Sequence, residues 1–134
     1  MANLKEIKSQ DDGAVVTFRA RVLRFWGAGG LRMCLVGDES ALTRVELGDA
    51  VIELDRSYEF IDAEVKHYDG GWHSVSIAEG GDAILLEEDV AVPQDEAYIE
   101  RTFKILLGVQ RKKARKEGRL PPWRHPSETK SDGD

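Results

Sequence analysis

Sulfur is almost missing from this chain: of 134 residues, one is cysteine, Cys34, and two are methionine. A lone thiol cannot close an internal disulfide, and free cysteine is among the most buried residue types, so Cys34 reads as a small core hydrophobe. The three histidines, His67, His73 and His125, are scattered, with no cysteine or carboxylate at ligand spacing. No metal and no other cofactor is expected. Long apolar runs are absent too: none approaches the roughly 20 residues that a membrane helix needs. The start, Met1-Ala2-Asn3-Leu4-Lys5, lacks the apolar core of a secretory signal, and the cytoplasm is the expected compartment. No glycine-rich loop opens onto a helix as a phosphate cradle would, and the adjacent Asp38 and Glu39 point apart in a strand or turn. These gaps argue against an enzyme.

Positive charge is scarce over most of the chain and concentrated at one place. The formal charge is -6, yet residues 1–100 carry 9 basic and 21 acidic side chains, while residues 101–125 carry 9 basic and 1 acidic. This split places positive potential on one segment. Such a segment attracts a polyanion or folds back on the acidic remainder.

Short alternating stretches dominate residues 15–86. Val16, Phe18, Ala20 and Val22 alternate with Thr17, Arg19 and Arg21, the period of a strand with one buried face. After Val22 the apolar positions become Leu23 and Phe25, a slip of one residue that a β-bulge produces. Further strands are expected at Leu31–Val36, Ala41–Leu47, Tyr58–Tyr68 and Trp72–Ile77. Glycine turns at Gly27-Ala28-Gly29-Gly30 and Asp69-Gly70-Gly71 join two of the pairs. Ala83–Leu86 either closes the sheet or extends it. Beyond Pro93, Asp95 is an N-cap candidate, and Ile99, Phe103 and Leu106 fall on one helical stripe that ends in the basic run 111–116 and Gly118. The fold class is therefore all-β with a C-terminal helix: a five-stranded OB-fold barrel followed by an amphipathic α-helix. Its divisions are a flexible lead-in at 1–13, the barrel at 14–90, the helix with its basic end at 94–118, and an irregular tail at 119–134.

Gly37-Asp38-Glu39-Ser40 between the second and third strands, the stretch Tyr58-Glu59-Phe60-Ile61-Asp62-Ala63-Glu64-Val65, and Tyr68-Asp69-Gly70 resemble motifs of the OB-folds in archaeal replication protein A and related single-stranded-DNA-binding proteins. The resemblance spans about residues 14–88. It implies single-stranded DNA binding in replication or repair, without catalysis. Family members often carry an aromatic just after the third strand. This chain has Gly48 there.

A single-strand binder needs aromatic faces for bases and cations for the backbone. The ring candidates are Trp26, Tyr68 and Trp72, all beside the two hairpins that frame an OB-fold groove. The cationic candidates are Arg19, Arg21, Arg32 and Arg44 on wet strand positions, and Lys112, Lys113, Arg115 and Lys116 on the helix end. Nothing reads a 2′-hydroxyl, so RNA stays open beside DNA. The alternative is an accessory or assembly subunit, in which Ile99, Phe103 and Leu106 dock on a protein partner or a second copy.

Overall fold

Alternation in the first strand becomes one wall of a closed ring. A computed structural model of the chain describes residues 1–28, 31–68 and 71–116. Its elements are α1 (Leu4–Ile7), β1 (Val15–Ala28), β2 (Leu31–Gly37), β3 (Leu42–Glu46), β4 (Ser57–Tyr68), β5 (Trp72–Ser76), β6 (Asp82–Leu85) and α2 (Glu96–Lys116). The first half of β1 pairs antiparallel with β4 and its second half with β2; β2 pairs with β3, β3 parallel with β5, and β5 with β4. Five strands thus close on themselves. β6 does not close the ring; it lies along the outer edge of β4, with Tyr58 opposite Leu85.

Two bulges let long strands serve two partners. On β1 the register steps from Val22↔Val36 to Arg24↔Leu35, leaving Leu23 as the extra residue, where the apolar pattern slips. On β4 it steps from Ala63↔Val16 to Phe60↔Phe18, and the extra backbone turns through Asp62 at φ 53. Thr17 holds that turn, its Oγ1 accepting the Asp62 N–H at 3.2 Å. Inside the ring, Phe18 and Phe60 stack with centroids 5.1 Å apart, surrounded by Val22, Cys34, Val36, Val45, Val65 and Val75. Burial pushes the Cys34 thiol well above its ordinary value, so native protein should resist alkylation at pH 8. Mass spectrometry before and after denaturation checks this.

The lead-in at 1–13, read as flexible, docks on the ring. Leu4 and Ile7 are fully buried in the main core, because a single helical turn puts both on one face. Asn3 and Glu6 form a reciprocal capping box at its start. Asp38 supplies the clamp. Its Oδ2 accepts the Leu4 N–H at 2.9 Å, while Oδ1 accepts from Ser40 N, Ser40 Oγ and Ala41 N. The Gly-Asp-Glu-Ser corner is thereby a structural joint between the β2–β3 turn and the N-terminus.

α2 begins as its sequence demands. Asp95 accepts the Tyr98 N–H on its side chain, and Glu96 sits in the first turn, where the helix dipole favours an anion. The stripe Ile99, Phe103 and Leu106 seats on the chain's own sheet against Leu23, Leu35, Trp26, Leu42 and Trp72. That packing corrects the expectation that these three residues await a partner. No described helix is long and apolar enough to cross a membrane. The expected tail at 119–134 lies outside the described residues.

Candidate nucleic-acid interface

Side chains of paired residues in a sheet point the same way, so the register defines the outer face. Across β1, β2, β3, β5 and β4 this face presents Arg24 and Trp26, Met33 and Leu35, Leu42, Arg44 and Glu46, Trp72, Ser74 and Ser76, then Glu64, Lys66 and Tyr68. It has an apolar part and a polar part. The apolar part, around Leu35, Trp26 and Trp72, is covered by α2.

Arg44 is the centre of the polar part. Its guanidinium carbon lies 5.3 Å from the centre of the Tyr68 ring, and its Nε donates to the His73 carbonyl at 3.2 Å. Ser74 Oγ donates to the Tyr68 hydroxyl at 3.2 Å, completing the wall. Arg44 is almost out of water, at 3% exposure, and its Nη1 meets no acceptor among the described residues. Among the described residues no carboxylate pairs with it. Burial pulls its pKa below the ordinary value, opposed only by Tyr68. A buried cation held by a ring face and one carbonyl retains strong demand for an anion. Beside it, Lys66 Nζ lies 3.8 Å from Glu46, offsetting the one carboxylate that would repel phosphate on β3. Burial first, then the neighbouring His67, Lys8 and Arg44, push the His73 imidazole below the usual range.

The remaining expected contacts divide sharply. Trp26 lies on the outer face as anticipated, but it is no open platform: Phe103 meets it edge-on with centroids 5.6 Å apart, and its Nε1 is buried without an acceptor. Trp72 is half-buried in the same cluster. Both indoles are drawn in because α2 offers apolar area that solvent does not. Arg19 pairs with Glu59 at 2.9 Å on the β1–β4 side, away from the groove. Arg32 is spent on backbone, Nη1 donating to the Gly48 and Ala50 carbonyls at 2.8 and 2.9 Å. Arg21 keeps a buried Nε without a partner where β1 passes between Ser57 and Gly37. Lys112 is exposed on α2. The side chains of Lys113, Arg115 and Lys116 lie outside the described residues.

Sequence reasoning missed Arg24. Its Nη2 donates to Glu96 and its Nε to Glu100 at 3.2 Å, which ties the start of α2 to the outer face of β1. Its outward position after the bulge was the available signal.

Gly48 explains why no aromatic stands after β3. Its φ is +59, and a Cβ there would approach Ala78 Cα to 2.8 Å and Cβ to 2.9 Å. A ring cannot occupy that position without moving the β5 end. Gly48→Ala should cost about 2 kcal/mol in urea unfolding, combining left-handed strain with a backbone clash.

No protein-family model and no curated protein matches the sequence. Solved structures do resemble the fold. The OB domain of MM0293 from Methanosarcina mazei matches with a TM-score of 0.57 at 18% identity, covering 66% of this chain and 86% of that one. Pot1pC of Schizosaccharomyces pombe, solved bound to ssDNA, matches with a TM-score of 0.54 at 11% identity, covering 66% and 87%. The Ifi202 HINa domain, solved with 20 bp dsDNA, matches with a TM-score of 0.56 at 11% identity, and the chain covers 47% of it. At these identities the likeness is one of fold: the five-stranded ring with its helix is an OB-fold domain.

Proposed function

We propose that this domain binds single-stranded nucleic acid, DNA in the first instance, on the outer face of β2, β3, β5 and β4, and that it works as a binding protein in replication or repair. The observation that carries this reading is Arg44, a buried guanidinium beside a tyrosine ring whose Nη1 amino group meets no acceptor among the described residues. A backbone phosphate satisfies Nη1, while the Tyr68 ring holds the guanidinium in place. Entry requires the side chains around Arg44 to part by the width of a phosphate oxygen. Lys112, exposed on α2, adds a further cation. The solved neighbours add support, since Pot1pC was captured on ssDNA. An archaeal replication protein A-like role follows the resemblance of the Gly37-Asp38-Glu39-Ser40 and Tyr58–Val65 segments. The assembly reading finds less support, because Ile99, Phe103 and Leu106 pack within the chain.

Fluorescence anisotropy with a labelled oligo-dT of about 16 nucleotides, the upper range for one OB-fold, tests the proposal. Micromolar binding is expected at roughly 50 mM salt, weakening at least tenfold at roughly 200 mM as counterion release loses force. No rise in anisotropy at low salt with excess protein would refute it.

A further inference from the structure

Arg24 and Trp26 sit side by side on the outer face of β1, continuous with Leu35 and Leu42 and so with the sheet that carries Arg44. Both are held by α2. Two carboxylates, Glu96 and Glu100, grip the Arg24 guanidinium through Nη2 and Nε, and Phe103 covers the Trp26 ring. These are the contacts that a single strand would make: oxyanions on the arginine and a planar group on the indole.

The seat is imperfect. Trp26 Nε1 is sealed from water without an acceptor, and Gln94 Oε1, just ahead of the helix, is sealed without a donor. Buried polar atoms are normally satisfied, and the exception at Trp26, beside Phe103, shows a surface not matched to that helix alone. α2 rests chiefly on β1, and Glu96 is largely solvent-exposed. A helix held by a few apolar side chains and two wet ion pairs can be exchanged for another ligand.

We infer that α2 is a displaceable cover, and that the surface beneath it is a second stretch of the nucleic-acid path, with Arg24 receiving a phosphate and Trp26 a base. This rests on the reading of the outer face as a nucleic-acid site. Displacement of α2 exchanges carboxylate for phosphate on Arg24 and Phe103 for a base on Trp26. The docked helix therefore lowers affinity until a strand long enough to span both stretches competes it away.

Full-length Glu96→Gln/Glu100→Gln keeps the apolar seat and frees Arg24. Its affinity for oligo-dT should rise about tenfold, the size of a typical intramolecular coupling. Adding Arg24→Gln should cancel the gain. Glu87→Gln/Glu88→Gln removes the same charge from the linker and should leave affinity nearly unchanged. Hydrogen exchange over residues 96–109 should quicken in the first variant and on binding of oligo-dT. An equal gain in the linker control, or quickened exchange without gain in affinity, overturns the cover while leaving Arg44 as the site. If neither the natural chain nor any variant binds oligo-dT at low salt, the nucleic-acid reading falls and the cover with it.

Discussion

Replacing Arg44 by methionine should abolish most of the affinity for oligo-dT, by about 30-fold or more, and leave stability within about 1 kcal/mol of the natural chain. The two halves of this result come from one fact. In the folded protein the guanidinium is out of water with its Nη1 unanswered, so its removal deletes a desolvation cost together with a cation–π contact and one hydrogen bond to the His73 carbonyl. Those contributions oppose each other. Methionine fills a similar volume and adapts to irregular space, so no large cavity remains. Binding has no such compensation, because a phosphate oxygen loses its charged donor. Urea unfolding and anisotropy on the same preparation give both numbers. A variant that unfolds easily yet binds normally would place Arg44 among structural residues.

Asp38→Ala should cost about 3 kcal/mol, lowering the melting temperature by roughly 10 °C. The carboxylate is buried and accepts from three backbone N–H groups, of Leu4, Ser40 and Ala41, and from the Ser40 hydroxyl. Alanine leaves those donors without an acceptor. It also frees the turn that seats Leu4 and Ile7 in the core. Asp38→Asn separates the two jobs. Its amide oxygen can keep the bonds within the β2–β3 turn, but its NH2 faces the Leu4 N–H, donor against donor. A loss of about 1 kcal/mol is expected, with faster hydrogen exchange confined to residues 4–8. Equal losses for both variants would show that the turn and the lead-in are not separable in this way.

These two residues also mark where sequence reading succeeded and stopped. The strand order and the buried register of Val16, Phe18, Ala20 and Val22 were legible because a period of two is a local consequence of having one wet face. So was the bulge at Leu23, where the pattern visibly slips. The bulge at Asp62 was harder to see: the buried positions pass from Tyr58 and Phe60 to Ala63 and Val65, but the apolar Ile61 between them blurs the slip. Residues 1–13 looked loose because only Leu4 and Ile7 stand out among polar neighbours. The clue was present in Asn3 and Glu6 at capping-box spacing, but the anchor, Asp38, lies 34 residues away in the chain. At the site, alternation set Trp26 and Arg44 outside the core register, and the pairing puts both on the outer face. Alternation could not say which part α2 would cover, because that depends on a long-range docking of Ile99, Phe103 and Leu106. For the same reason Arg19 and Arg32 looked like Arg44 in sequence, yet one meets Glu59 and the other two backbone carbonyls.

Amide chemical-shift mapping of the isotopically labelled full chain, titrated with oligo-dT at low salt, addresses the ligand and its place together. The account predicts shifts concentrated on β2, β3 and β5, on residues 64–68 of β4, and on the Arg44 side-chain Nε–H. Silence there, or shifts gathered along β6 and the Arg19–Glu59 side of the ring, would contradict it.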